Sequence, residues 1–185
     1  MVFLKPATRW CVLAAVLSVA PSNVGAQSGQ PTLEHDVKAA FLYNFTKFVE
    51  WPAPSRPDEP FRVCALADTA FVAALDRTIS DESVGGRRLV RAEIHSLDDV
   101  RQCAILYIGT AYADERGPML ATARDLPVLT VGEGSEFVKH GGGIGFVLDN
   151  NRVRFDISLR ALQRSGLKAS SKLLRVARTV EGGAV

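Results

Sequence analysis

Cysteines, histidines and paired carboxylates are the residues of this chain that could do chemistry. The three histidines, His35, His95 and His140, stand far apart in the chain, and no spacing among them matches a zinc site. Asp81-Glu82 and Asp98-Asp99 are adjacent carboxylates of the kind that can share acid–base work. Both pairs fall in polar connecting segments, where a carboxylate is ordinarily a solvated charge. The stretch VGEGSEFVKHGGG, residues 131–143, invites comparison with a phosphate-binding loop. It lacks both the G-x-G-x-x-G and the G-x-x-x-x-G-K-[ST] pattern, so Gly141 to Gly143 are read as a turn with close backbone packing. No serine sits in a G-x-S-x-G elbow. No catalytic constellation assembles, and elimination leaves a binding protein, not an enzyme, with no cofactor and no metal.

The cysteines carry more information. Cys11 lies in an apolar run, Trp10 to Ala20, that follows the basic residues Lys5 and Arg9 and precedes the small-residue sequence Val24-Gly25-Ala26. This is the pattern of a cleaved export signal over residues 1–26, and the run is too short to span a bilayer. The mature protein is then residues 27–185, a single exported domain long enough to bury a core. Two cysteines survive processing, Cys64 and Cys103, and an even count in an oxidising compartment points to a disulfide. They are not a C-x-x-C pair, which disfavours thiol redox enzymology.

The elements that must hold these residues begin with Glu34 to Pro52, EHDVKAAFLYNFTKFVEWP. Val37, Phe41, Phe45 and Phe48 recur at spacings of four, four and three, with Leu42 and Val49 widening the stripe and Lys38 and Lys47 away from its centre. The spacing predicts an amphipathic core helix, capped by Thr32 and stopped by Pro52. Strands are then predicted at Phe61 to Ala67, Leu89 to Ile94, Cys103 to Ile108 and Val128 to Val131. Helices are predicted at Phe71 to Ile79 and Asp114 to Arg124, with a short turn capped by Ser96. CAILYI and VLTV are continuously apolar, which suits a parallel sheet covered on both faces. In a 2-1-3 strand order the first and third strands, which carry Cys64 and Cys103, are neighbours. A bond between them would close a loop of about 40 residues and stabilise by about 4 kcal/mol on the chain-entropy account.

After the fourth strand a helical turn is expected at Phe137 to His140. Ile144 to Leu148 and Arg152 to Ile157 read as a hairpin around Asp149-Asn150-Asn151. In the second arm Val153, Phe155 and Ile157 share one face, while Arg152, Arg154 and Asp156 point the other way. Helices are expected at Ser158 to Ser165 and over KLLRVARTV, capped by Ser170 or Ser171. The last has Leu173, Leu174, Ala177 and Val180 on one side and a Lys172, Arg175, Arg178 stripe on another. The fold class is α/β: a single three-layer domain with a mainly parallel central sheet flanked by helices, and a C-terminal β-hairpin and helices.

The formal charge is +2 overall and zero without Lys5 and Arg9, but it is unevenly spread. Residues 152–185 hold eight Lys and Arg against two Asp and Glu, while residues 27–151 hold twelve against eighteen. A nucleic-acid binder would be more uniformly basic. The basic segment is a solvated face or a surface for an acidic partner or anionic ligand.

VKAAFLYNFTKFVEWP resembles the opening motif of the YfiR-like family of periplasmic proteins. GGGIGFVLDNNRVRFDISLRALQRSGLKASSKLLRVAR resembles its closing motif, so the resemblance spans about Glu34 to Arg178. It implies a periplasmic, dimer-forming repressor that binds the periplasmic region of an inner-membrane diguanylate cyclase, touching the membrane only through that partner. Its release would raise cyclic di-GMP and favour biofilm. Cys64 and Cys103 match the positions of a family disulfide. A second disulfide, found in some members near Phe137 to Phe146, has no cysteines here. By position, the closing motif carries partner binding onto Asp156, Leu159 and Leu162. The rival reading is a periplasmic small-molecule sensor acting on a histidine kinase or other membrane receptor, with an aromatic pocket near Phe41, Phe45 or Trp51. An enzyme using His95, Asp98 and Asp99 is the other.

Overall fold

The structure is a computed structural model and describes residues 29–53 and 58–182, with side chains from Leu33 onward. The export signal predicted over residues 1–26 lies outside the described residues. The chain opens with α1 (Gly29–Phe48) and the short β1 (Val49–Glu50). It continues through β2 (Phe61–Leu66), α2 (Thr69–Ile79), β3 (Ser83–Val84), β4 (Arg87–Ala92), a 3-10 turn (Leu97–Gln102) and β5 (Ile105–Ile108). A second 3-10 turn (Thr110–Tyr112), α3 (Arg116–Ala123), β6 (Leu129–Glu133), α4 (Glu136–Lys139), β7 (Ile144–Asp149) and β8 (Arg152–Ser158) follow. The chain closes with α5 (Leu159–Arg164), β9 (Lys168–Ala169), α6 (Ser171–Val176) and β10 (Thr179–Glu181).

The main sheet has the order β10-β8-β7-β6-β5-β2-β4-β3. β4, β2, β5, β6 and β7 are mutually parallel, and β8 returns antiparallel to β7. The 2-1-3 order expected from the sequence is therefore present as β4-β2-β5. Continuous apolar runs made it legible: all of Ile105–Ile108 and Leu129 to Gly132 are buried, as a strand covered on both faces requires. One face is covered by α1, α2 and α6 over a core that includes Phe45, Phe71, Tyr107 and Phe146. The other carries the first 3-10 turn, α3 and α4 over Cys64, Leu106, Ile108, Met119 and Phe137.

α1 is longer at its start and shorter at its end than the sequence predicts. It begins at Gly29, so Thr32 lies inside it, and it ends at Phe48, before Pro52. Val49 and Glu50 leave the helix to pair antiparallel with Ala169 and Lys168, and Ser170 N–H donates to the Phe48 carbonyl (2.9 Å). Its buried line also differs: Lys38, Ala39, Leu42, Phe45, Thr46 and Val49 face inward, while Val37, Phe41 and Phe48 are only half-buried. Lys38, expected away from the stripe's centre, is 6% exposed. α2 is as predicted: Phe71, Ala74, Leu75 and Ile79 are buried, and Asp68 caps the helix by accepting from Phe71 N–H.

The glycines of residues 131–143 pack the backbone, as the sequence predicts. A Cβ at Gly132 would lie 2.2 Å from the Phe137 ring, and one at Gly142 would lie 2.1 Å from its other edge. The two glycines therefore hold the fully buried Phe137 ring between them. In the hairpin, Asp149 pairs with Arg152 across Asn150 and Asn151, which have φ of 49° and 60°. Two consecutive left-handed residues make the turn whose twist matches the strands, and asparagine tolerates that conformation better than most residues. The last predicted helix is cut short. Ser170 caps α6 by accepting from Leu173 N–H (3.2 Å), but the helix ends at Val176, and Thr179 to Glu181 become an edge strand parallel to β8. Val180 accordingly is 38% exposed on that strand and is not part of an apolar helix face.

Candidate functional site

Among the described residues, several places in the fold bring polar or reactive side chains together. The first is the closing segment. β8 delivers Asp156 next to Thr179 of β10, and Arg178 folds over it. Arg178 Nε donates to one carboxylate oxygen (2.8 Å) and a terminal nitrogen to the other (2.5 Å), a two-point pair. The bond raises the Arg178 pKa further above its ordinary value. Asp156 is 2% exposed, so it does not share the solvent with Arg152 and Arg154 as strand alternation predicts. On that face α4 packs against β8, and the Arg178 side chain lies over the carboxylate. Leu159 opens α5 and is half-buried, and Leu162, two per cent exposed, packs near Gly143 and Leu129. Of the three residues carried over by resemblance, Leu159 alone offers appreciable surface. Ser158 starts α5 by accepting from Ala161 N–H (3.2 Å).

The second place is the switch point of the sheet, where β2 and β5 diverge toward opposite edges. Ligands of doubly wound sheets bind outside the carboxyl ends of the strands there. Tyr107 near the end of β5, Glu133 at the end of β6, and Asp68 just past β2 all lie at this edge, with the N-terminal half of α1 above them. Lys38 Nζ reaches Glu133 (2.8 Å) and Glu34 (2.5 Å), and Tyr107 OH donates to Glu133 (2.5 Å). Phe71 stacks on Tyr107 at 4.2 Å, and His35 meets Phe71 edge-on at 5.8 Å. His35 Nε2 is 3.7 Å from Asp68, while its Nδ1 is buried without a hydrogen-bond partner. Burial, then the Glu133 charge, push Tyr107 well above the ordinary tyrosine range. Burial alone would lower Lys38, but its hydrogen bonds to Glu133 and Glu34 and their negative charge outweigh that and raise it. The result is a closed charge network holding α1 on the sheet.

Sequence reading missed this network because it treated Lys38 as a flank residue. The signal was present: Lys38, Leu42, Phe45 and Val49 follow spacings of four, three and four, and Glu34 precedes Lys38 by one turn.

The third place is the disulfide. Cys64 of β2 and Cys103, which precedes β5, are joined with an S–S distance of 1.99 Å and a Cα–Cα distance of 5.8 Å. Both are buried, at 0% and 5% exposure. The bond links neighbouring central strands, the arrangement the sequence implied.

The remaining sequence candidates do not converge. Asp99 caps the first 3-10 turn, accepting from His95 N–H (2.9 Å) and Ser96 N–H (2.8 Å), and those backbone bonds hold its carboxyl below the usual range. Asp98 is exposed and lies 3.9 Å from Arg101. Glu82 accepts from Tyr43 OH, and Asp81 takes a left-handed backbone. His95 lies 3.4 Å from Glu93, and His140 Nδ1 is 2.7 Å from the Glu136 carbonyl. Among the described residues no group of three or more His, Cys, Asp or Glu is arranged to hold a metal ion. Phe45 stacks on Phe146 and meets Phe155 edge-on, Phe41 packs on the same two rings, and Trp51 lines an open groove of about 780 Å³ beside Cys103. Among the described residues no helix is long and apolar enough to cross a membrane.

A doubly wound α/β domain with a cross-linked switch point, a salt-bridged first helix and an arginine-latched closing segment is the class that these features define. The profile of the YfiR/HmsC-like family matches residues 35–178, and the chain belongs to that family. Among solved structures, a conserved domain protein from Vibrio cholerae O1 biovar El Tor is similar at a TM-score of 0.53 and 12% identity. That match covers 80% of this chain and 60% of the other, so this chain spans about three fifths of that relative's length. The ABC domain from Streptococcus pneumonia, solved in complex with L-Trp, reaches a TM-score of 0.49 at 10% identity, over 65% of this chain and 55% of its own. The first likeness concerns the fold alone, and the second is too slight to carry an argument.

Proposed function

We propose that this protein is a periplasmic regulator that binds the periplasmic region of an inner-membrane diguanylate cyclase and represses it, thereby controlling cyclic di-GMP and biofilm formation. Membership of the YfiR/HmsC-like family across the whole folded domain is the observation that carries this reading. The mechanism is occupancy: the bound domain holds its partner inactive and performs no chemistry itself. Its working form is a homodimer, and it meets the membrane only through the partner.

Within that reading the closing segment is the partner-facing element. Leu159 makes contact, while Asp156 and Leu162 set its shape from beneath, since neither has surface to offer. The Asp156–Arg178 pair then fixes α6 and β10 against β8, so the partner meets a preformed surface. The Cys64–Cys103 bond is the point at which a reducing stress would loosen the domain and release the partner.

Binding of the purified protein to the periplasmic domain of the cyclase or sensor kinase encoded beside it, with and without reductant, tests the proposal. Micromolar or tighter binding that weakens on reduction is expected. Binding that ignores reductant would make the disulfide purely structural. Absence of binding in both conditions would overturn the repressor reading.

A further inference from the structure

On the sheet face opposite α1 lies a groove of about 640 Å³, bounded by α3, the end of α4, the start of α5 and the end of β10. That volume is within the range of small-molecule sites, roughly 300–1,000 Å³. Its charged lining is Arg116, Arg124, Lys139, Arg160 and Arg164, opposed by the single carboxylate of Glu181. Leu120 and Val138 also border it. The basic bias of residues 152–185 thus has a destination: two of its arginines meet three cations from the middle of the chain.

The pairing state of these arginines separates them from five others in the protein, though not from the exposed Arg88, Arg152, Arg154 and Arg175, which also lack an acidic partner among the described residues. Arg62, Arg77, Arg91, Arg101 and Arg178 each lie within ion-pair distance of an acidic side chain. Among the described residues, Arg124, Arg160 and Arg164 have no acidic partner. Arg160 and Arg164 stand one turn apart on α5, where like charges repel. Arg164 lies over Gly141, its terminal nitrogen 3.6 Å from where a Cβ would be, and so reaches across the groove toward the α4 end. Arg116 has its guanidinium 5.7 Å from the centre of the Phe137 ring, and its Nε is buried without a hydrogen-bond acceptor. A buried donor without a partner is costly, and an incoming anion would remove that cost. A lone phosphate or sulfate ion would leave most of these donors idle.

We propose that this groove is a binding site for a small polyanion, a molecule bearing two or more phosphate or carboxylate groups. Arg124, Arg160 and Arg164 grip those groups through guanidinium forks, and Arg116 anchors the inner end. Affinity comes from charge-assisted hydrogen bonds in an open site, so it falls as salt rises.

Calorimetric titration of the purified protein with inorganic pyrophosphate and with citrate, at low and high salt, tests the site. Vesicles containing phosphatidylglycerol form a third arm that separates a free anion from a lipid headgroup. The double variant R124Q/R164Q is compared with R88Q, which removes an exposed arginine far from the groove. Saturable one-site binding of at least one soluble probe is expected, weakened about tenfold or more in the double variant and kept by R88Q. Without ligand the double variant should melt no lower than the parent, since it relieves like-charge repulsion. No saturable binding of either soluble probe overturns the proposal, whether or not vesicles bind. So does binding that the double variant retains, an equal loss in R88Q, or a lower melting temperature of the unliganded double variant. Purified protein suffices for every arm, so the outcome is independent of whether a membrane partner is recognised.

Discussion

Reducing the Cys64–Cys103 bond should cost the domain about 4 kcal/mol. The bond closes a loop with a sequence separation of 39, and the chain-entropy relation for a loop of that size gives this value at room temperature. For a domain of about 150 residues each kcal/mol moves the midpoint by roughly 2–4 °C, so the melting temperature should fall by about 8–16 °C. Reduced wild type is the cleanest comparison, because it keeps both sulfurs in place and isolates the cross-link. The double variant C64A/C103A adds the loss of two buried sulfurs and should fall somewhat further. Differential scanning calorimetry with and without reductant, with free thiols counted after each run, reads the effect. Since both sulfurs are buried, reduction should also be slow in native buffer and accelerate in mild denaturant, tracking local opening. A fully reduced protein melting within about 3 °C of the oxidised form would refute the loop argument. It would also remove the physical basis for redox release of a partner.

Alkaline pH gives a second test. Tyr107 and Lys38 both hold their proton more tightly when folded, so the unfolded chain loses protons first as pH rises. Their stabilisation is complete below about pH 10 and is lost above it, for Tyr107 at about 1.4 kcal/mol per pH unit, and Tyr107→Phe should flatten that slope in denaturant titrations between pH 9 and pH 11. Lys38→Met leaves Glu34 and Glu133 facing each other without their cation and should cost about 3 kcal/mol by chemical denaturation, with Glu133→Gln recovering part of it. Gly142→Ala should destabilise by about 2–3 kcal/mol, because the new methyl group overlaps the Phe137 ring; combining it with Phe137→Leu should be less harmful than the sum of the two. Arg178→Ala should lower the melting temperature more than Arg175→Ala, since only the former leaves the buried Asp156 carboxylate without its cation.

Long apolar runs and turn chemistry made the centre of this fold readable. Ile105–Ile108 and Leu129–Glu133 announce buried parallel strands, Asn150-Asn151 announces the hairpin, and the two cysteines agree with the strand order that joins them. The short strands were not readable. Val49–Glu50, Lys168–Ala169 and Thr179–Glu181 have two or three residues each, too few for a period, and partners distant in sequence impose their conformation. Asp156 was misplaced for a related reason: alternation assigns a face but does not reveal that Arg178, far along the chain, will fold over it. The groove arginines were visible only in part, because Arg116 and Arg124 come from a different third of the chain than Arg160 and Arg164. Lys38 stayed hidden because a cation in a buried stripe is recognisable only once Glu133, far along the chain, is seen opposite it.

The cross-link between β2 and β5 also divides the domain mechanically. A pull on the chain's C-terminal end, such as a tethered partner would transmit, loads β10 first and then the β7–β8 hairpin. Those connections are held by hydrogen bonds and packing alone. The seam between β2 and β5 cannot open by losing such contacts alone, because a covalent bond spans it. The molecule therefore has one half, where the closing segment lies, whose strands are joined by hydrogen bonds alone, and another whose central seam is also covalent.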